Sequence, residues 1–189
     1  GLAMANKIGI ETGGVAPKGF QTVKGPQAEA LQNFGLTELS DKELKDFMAT
    51  ATSRPLPERL DDEGRKPEYI QPESVYNPRT ELNIARNDAT VYFGGPDGEE
   101  SSGYQATKKY ADEWYGFNKK FLYIEDPSSP AEQAKFRDWL IQNNVKNLNV
   151  AGSREFADKP GMLKFMEIAK NPMGFSLPGE GEIKANISR

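Results

Sequence analysis

The 189-residue sequence contains neither cysteine nor histidine. The absence of histidine excludes a Ser-His-Asp triad, a Cys-His pair and an imidazole general base. The absence of cysteine excludes disulfides, thiol nucleophiles and iron–sulfur clusters, and it removes the usual zinc ligands. Chemistry in this chain therefore falls to carboxylates, amides, hydroxyls, lysine, arginine and backbone N–H groups.

The sequence also lacks a strong excess of either charge and any long apolar run. The formal net charge is −4, so we do not expect nucleic acid as a partner. No apolar stretch approaches the ~20 residues of a membrane span, and no signal-peptide pattern opens the chain. We therefore expect a single domain in the cytoplasm, because the lack of cysteine fits that compartment, and no contact with a membrane.

The second half alternates between apolar runs and amphipathic stretches. The pattern predicts strands over 89–93, 121–124 and 147–151, and helices over 104–115, from Pro130 onward after a Ser129 cap, and over 160–170. This order predicts an α/β, Rossmann-like three-layer fold with a mostly parallel sheet flanked by helices. Right-handed crossovers bring the carboxyl ends of such strands to one edge, where these sheets bind ligands.

The first half is less regular. The Ser40–Glu43 stretch has the pattern of a capping box that opens a helix, and residues 79–87 are predicted to form a short helix. Between them, residues 53–78 contain five prolines and ten charged residues, a composition that buries little apolar surface. We interpret this stretch as a surface insertion in one domain spanning 1–175, and 176–189 as a C-terminal tail.

A glycine-rich segment, 94–103, connects the first predicted strand of the second half to a helix. Small residues let backbone N–H groups approach a ligand, and a helix N-terminus favours an anion. The candidate donors are the backbones and hydroxyls of Gly94, Gly95, Ser101, Ser102 and Gly103. The alternative is a βα loop whose serines cap the helix. Three acidic residues in this segment would face solvent or hold a cation: Asp97, Glu99 and Glu100.

A second candidate loop follows the third predicted strand. Gly152 would allow a tight turn, Ser153 offers a hydroxyl, and Arg154 offers a bidentate guanidinium for an oxyanion. The alternative interpretation is a surface ion pair between Arg154 and Glu155. Weaker candidates are Lys18, in a predicted turn over 13–19, and Arg79, one helical turn from Asn83.

The segment Leu148–Glu155, followed by Pro160-Gly161, resembles the LNVAGPRES…PG signature of circularly permuted YpsA-like SLOG proteins, which are often labelled molybdenum carriers. Stretches within 2–19, 79–88 and 102–107 agree with the same family in the same order. The resemblance implies a Rossmann-like fold, a nucleotide-derived or phosphate-bearing small ligand, and a homo-oligomer. The molybdenum cofactor is the proposal of the family label alone, and the cofactor is otherwise unidentified.

The resemblance also bears on the N-terminus. Family members begin with a strand and a Gly-Gly-Gln-Thr-Gly type loop ahead of the helix that corresponds to the one starting at Leu2. We therefore favour a chain that lacks its first strand over a cloning remnant ahead of Met4.

The chain departs from the family pattern at several positions: Ser153 replaces proline, Phe156 replaces serine and Tyr104 replaces threonine. Related phosphoribohydrolases of the LOG type carry a catalytic glutamate at the position of Thr107. The family comparison therefore favours a binding protein over a hydrolase, with no catalytic residue and no metal ligand. The predicted ligand site of this binding protein comprises Lys18, Arg79, Gly94, Gly95, Ser101, Ser102, Gly103, Thr107, Gly152, Ser153, Arg154 and Glu155.

Two alternatives stay open. A phosphoribohydrolase-like enzyme would need Glu155 or Glu100 in place of the missing carboxylate, with Asp97 as a cation ligand. A protein-interaction module would dock its partner through residues 53–78 and retain only a vestigial pocket.

Overall fold

A computed structural model of the chain describes residues 2–16, 18–22, 25–43, 46, 77–112, 120–152, 156 and 161–174. Its helices include α1 (Leu2–Lys7), α2 (Ala28–Gln32), α3 (Asn77–Ala85), α4 (Ser102–Asp112), α5 (Pro130–Gln142) and α6 (Met162–Lys170). Its strands are β1 (Gly14–Ala16), β2 (Gln21–Thr22), β3 (Gly25–Pro26), β4 (Leu36–Glu38), β5 (Ala89–Phe93), β6 (Lys120–Ile124) and β7 (Leu148–Gly152). Short 3-10 turns include Lys18–Phe20, Gly98–Glu100 and Pro172–Gly174.

Among the described residues, the main sheet contains three parallel strands in the order β6-β5-β7. Strand β5 is paired on both sides, so that Phe93 lies opposite Ile124 on β6 and Gly152 on β7. All five β5 residues are buried, as expected for a central strand of a parallel sheet. The predicted strands and their parallel arrangement are confirmed, and their carboxyl ends are level with one another.

The carboxylate of Asp88 fixes the entry into this sheet. Its Oδ2 atom accepts hydrogen bonds from the N–H groups of Lys146, at 3.0 Å, and Asn147, at 2.9 Å. The N–H of Asp88 in turn donates to the carbonyl of Asn147 at 2.9 Å. These contacts set the register of β5 against β7. Strand β7 consequently begins at Leu148, one residue after the predicted start.

Helices cover both faces of the sheet. On one face, Val91, Phe93, Leu122 and Ile124 pack in one buried cluster with residues of α1, α5 and α6. On the other face, a smaller cluster joins Ile84 of α3 to Tyr110 and Ala111 of α4, with Phe121 packed against it. The α/β, Rossmann-like three-layer architecture predicted from the sequence is therefore present.

The helix starts follow recognisable capping chemistry. Ser129 accepts a hydrogen bond from the N–H of Glu132 at 3.4 Å, with proline in the first turn of α5, as predicted. The predicted capping box is also formed: the Ser40 hydroxyl accepts from the N–H of Glu43, whose carboxylate accepts from the N–H of Ser40. Helix α6 begins at Met162, because Gly161 is left-handed with φ 93° at the N-cap.

Two predictions for the first half need correction. The stretch 13–19 is not a simple turn, because Gly14–Ala16 form β1, which pairs in parallel with β4. The Asn83 side chain holds this strand: its Oδ1 accepts from the N–H of Val15 at 2.9 Å, and its Nδ2 donates to the Val15 carbonyl at 3.4 Å. The helix predicted over 79–87 begins at Asn77 and ends at Ala85. Strands of two or three residues are too short to show an alternating pattern, which is why the sequence did not reveal them.

The stretch 53–76 lies outside the described residues, so its interpretation as an insertion stays a prediction. The same holds for residues 176–189 as a tail. None of the helices in the described ranges combines the length and the apolar composition that crossing a membrane requires.

We predict that Asp88→Ala destabilises the fold by about 1–2 kcal/mol, because two backbone N–H groups lose their acceptor where β5 and β7 begin. Urea denaturation measures the loss. Asp138→Ala is the matched control, since that exposed carboxylate pairs along α5 with Arg137, at 2.9 Å, and should change stability by less than about 0.5 kcal/mol. Equal losses in the two variants would contradict a special role for Asp88.

Candidate functional site

Two loops leave the sheet at the same edge. Gly94 directly follows β5, and Gly152 is the last residue of β7, opposite Phe93. The two loops also touch, because a Cβ atom built on Gly95 would lie 2.9 Å from Cζ of Phe156, which is buried. The structure therefore brings Gly94, Gly95 and Gly152 together at the carboxyl edge of the sheet, as predicted.

Ser101 serves as the N-cap of α4. Its hydroxyl oxygen accepts from the N–H of Tyr104 at 3.1 Å and donates to the carbonyl of Gly98 at 2.7 Å. It also lies 3.2 Å from the Tyr92 hydroxyl. The hydroxyl therefore already has hydrogen-bond partners within the chain. These partners fit the alternative interpretation, in which this serine caps the helix.

The first turn of α4 presents two further backbone donors. Among the described residues, the structure shows no acceptor for the N–H groups of Ser102 and Gly103, as is usual at the start of a helix. Gly103 is exposed, and α4 has 11 residues. These two N–H groups, at the positive end of the helix dipole, have the chemistry to bind an anion.

A tyrosine lies against the glycine-rich loop. The Tyr123 hydroxyl donates to the carbonyl of Gly95. Cβ atoms built on Gly94 and Gly98 would meet that same hydroxyl, at 2.5 Å in the case of Gly98. Part of the glycine content of the loop is therefore explained by close packing on Tyr123.

The tyrosine hydroxyls at this edge stay protonated at neutral pH. Burial, followed by a hydrogen bond to the Glu99 carboxylate at 3.0 Å, raises the pKa of Tyr104 to about 12. Burial also raises the pKa of Tyr123, with the charges of Glu99 and Glu125 acting in the same direction. Both hydroxyls can therefore act as hydrogen-bond donors across the physiological range.

Thr107 lies one turn into α4 and is buried. Its hydroxyl donates to the carbonyl of Gly103 at 2.7 Å. By the family resemblance, related hydrolases carry a catalytic glutamate at this position. Here the position holds a threonine that is hydrogen-bonded within its own helix and has no acidic group. In the sheet, the side-chain amide of Asn149 on β7 donates to the Thr90 hydroxyl on β5 at 3.2 Å.

The remaining predicted site residues lie on other elements or outside the described residues. Lys18 begins the 3-10 turn after β1, where the Glu38 carboxylate accepts from the N–H of Gly19. Arg79 lies in the first turn of α3, half-buried. Ser153, Arg154 and Glu155 lie outside the described residues, so their part in the site stays a prediction. In the part of the chain that is described, no three acidic side chains gather into a group that could hold a metal ion.

The residues that sequence reasoning missed are Tyr92 and Tyr123. They face each other across β5 and β6 in the sheet register, with nearly parallel rings whose centroids are 6.1 Å apart. A usable indication was present, because each tyrosine is the penultimate residue of a predicted strand, and neighbouring parallel strands place equivalent positions side by side.

Comparisons with known proteins bear on the family and the fold of the chain. The family model for the circularly permutated YpsA SLOG family matches residues 59–168. The chain belongs to this SLOG family. The matched range includes both β5 and β7 and the glycine-rich loop between β5 and α4.

A solved structure shares the SLOG fold. It is the crystal structure of a "putative molybdenum carrier protein" from Syntrophus aciditrophicus SB, which is 23% identical, with a TM-score of 0.57. The match covers 91% of this chain and 85% of that chain. Curated proteins gave no match.

We predict that Gly152→Ala destabilises the protein by at least about 2 kcal/mol. Its φ of 152° suits glycine, and a Cβ atom there would overlap the carbonyl oxygen of Phe93. Gly103→Ala is the control, since its Cβ would lie 3.3 Å from the Tyr92 hydroxyl and should leave stability within about 1 kcal/mol of wild type. Thermal unfolding of the two variants measures the difference, and a tolerated Gly152→Ala would refute the close approach of β7 to β5.

Proposed function

We propose that the protein is a non-catalytic binding protein for a phosphate-bearing, nucleotide-derived small molecule. The site lies at the carboxyl edge of the main sheet, between the loop after β5 and the loop after β7. The observation that carries the proposal is the level ending of these two strands, together with the first turn of α4, for whose Ser102 and Gly103 N–H groups the described residues provide no acceptor.

The chemistry of the donors supports a phosphate rather than a cation as the bound group. Backbone N–H groups at a helix start bind oxyanions without needing a charged side chain. In this proposal Arg154 adds a bidentate guanidinium from the opposite loop, with Ser153, Glu155, Lys18 and Arg79 around the ligand. Gly94, Gly95 and Ser101 shape the loop, and Thr107 supports it from within α4.

The absence of an acid at Thr107 supports binding over hydrolysis. General acid–base catalysis needs a titratable group within hydrogen-bond reach of the reacting atom. Thr107 is buried and bonded to the Gly103 carbonyl. The hydrolase alternative would therefore need Glu100 or Glu155 to act from a different position.

The residues of this chain support phosphate binding better than they support direct binding of molybdenum, which the family label suggests. Without cysteine in the sequence there is no thiolate to ligate the metal directly. The donors at the sheet edge fit the phosphate of an organic cofactor, whereas they do not fit direct coordination of molybdenum. A molybdenum cofactor, if it is the cargo, would be bound through its phosphate. A homo-oligomer and a cytoplasmic location stay predictions.

Calorimetric titration with adenosine and guanosine 5′-monophosphates tests the proposal. We predict measurable binding by the wild type and a Kd at least tenfold higher for Arg154→Ala, equivalent to about 1.4 kcal/mol, with unchanged thermal unfolding. The matched control is Arg137→Ala, because Arg137 pairs with Asp138 on α5 and should leave the Kd within about twofold.

Two results would contradict the proposal. If neither nucleotide binds, the proposed binding function is wrong. Release of free base during the titration would favour the hydrolase instead. An unchanged Kd for Arg154→Ala would remove that residue from the site while leaving the main-chain donors in place.

A further inference from the structure

We propose that Tyr123 is the positioning residue of the glycine-rich loop, and that its hydroxyl holds Gly94–Gly98 in the conformation that the ligand site requires. The inference rests on the proposed function for its consequence in binding. Its structural part concerns the loop alone and can be tested without a ligand.

The hydroxyl of Tyr123 is enclosed by the loop. It donates to the carbonyl of Gly95, which also accepts from the N–H of Gly98 at 3.2 Å. A Cβ atom at Gly98 would lie 2.5 Å from that hydroxyl, and one at Gly94 would overlap it. The loop thus closes around a single oxygen atom supplied by the neighbouring strand β6.

The ring of Tyr123 has little freedom to move away. It lies nearly parallel to the ring of Tyr92, and the ring of Tyr104 meets it edge-on, with centroids 5.2 Å apart and an interplanar angle of 83°. Tyr104 is itself tied to the loop, because its hydroxyl donates to the Glu99 carboxylate at 3.0 Å. Tyr123 therefore acts as a fixed support for the loop rather than as a mobile side chain.

The loop that Tyr123 supports leads directly into the anion-binding helix start. Gly98 begins the 3-10 turn Gly98–Glu100, and its carbonyl accepts the hydroxyl of Ser101, the cap of α4. The chain of contacts thus runs from Tyr123 through Gly95 and Gly98 to Ser101. Loss of the hydroxyl should loosen this chain and misplace the N–H groups of Ser102 and Gly103.

The first test is amide hydrogen exchange of the free protein. Tyr123→Phe keeps the ring and removes the hydroxyl, so the amides of Gly94, Gly95, Asp97 and Gly98 should exchange at least several-fold faster, while those of α5 are unchanged. Tyr110→Phe is the matched control, because it removes a buried tyrosine hydroxyl that is close to Glu81 and should not alter the loop. Unchanged exchange in Tyr123→Phe would overturn the inference.

A double-mutant cycle tests the same contact through stability. Gly98→Ala should lower the melting temperature by roughly 3–6 °C, because the new Cβ meets the Tyr123 hydroxyl. In the Tyr123→Phe background the next ring atom is 3.6 Å away, so the same substitution should cost much less. Additive shifts would show that the hydroxyl is not what excludes a side chain at Gly98.

Titration with adenosine 5′-monophosphate then separates the inference from the proposed function. Tyr123→Phe should raise the Kd about tenfold without a matching loss of melting temperature, and Tyr110→Phe should leave the Kd unchanged. Faster exchange with an unchanged Kd would overturn the positioning role. If the wild type binds no nucleotide, the proposed function fails, whereas the exchange and double-mutant results still decide whether Tyr123 holds the loop.

Discussion

The register of β5 against its two neighbours is the constraint on which the rest of the structure depends. Paired on both sides and buried along its length, β5 determines where the flanking strands end. The Asp88 carboxylate fixes the register against β7 at the entry, through the N–H groups of Lys146 and Asn147. Because side chains alternate along a strand, a slip of β5 by one residue would move the side chains on each face of the sheet to the opposite face. It would also separate the ends from which the two loops depart.

Glycine at the sheet edge satisfies two different demands. Gly94 and Gly98 make room for the Tyr123 hydroxyl, whereas Gly103 lies exposed in the first turn of α4. The interior of the loop is thus fixed by aromatic packing and hydrogen bonds, and its outer end presents backbone donors. This arrangement suits a site that recognises an oxyanion by preformed N–H groups, because the loop loses little conformational entropy when the ligand binds.

The sequence predicted the second half of the fold well, because long apolar strands and capped helices carry strong local patterns. One example is the start of α5 at Ser129 and Pro130, and another is the strand Ala89–Phe93. In both cases the local sequence pattern was enough to predict the element. The short strand β1 could not be predicted, since Val15 owes its position to the Asn83 side chain, 68 residues away. The hydrogen bonds of the Ser101 hydroxyl to Gly98 and Tyr104 narrowed the role of that residue to helix capping. Tyr123 was missed because its contacts are with a loop that follows another strand. All the predicted site residues await experiment as ligand contacts, and Ser153, Arg154 and Glu155 also lie outside the described residues.

The most direct measurement of the central claim is a map of backbone amide chemical shifts during titration with adenosine 5′-monophosphate. If the carboxyl edge binds the phosphate, the largest changes should fall on Ser102, Gly103 and Gly152. Smaller changes should follow along Gly94–Gly98, and the exposed surfaces of α5 and α6 should stay unperturbed. Changes concentrated on α5 and α6, or no concentrated changes at all, would contradict the assignment of this edge as the binding site.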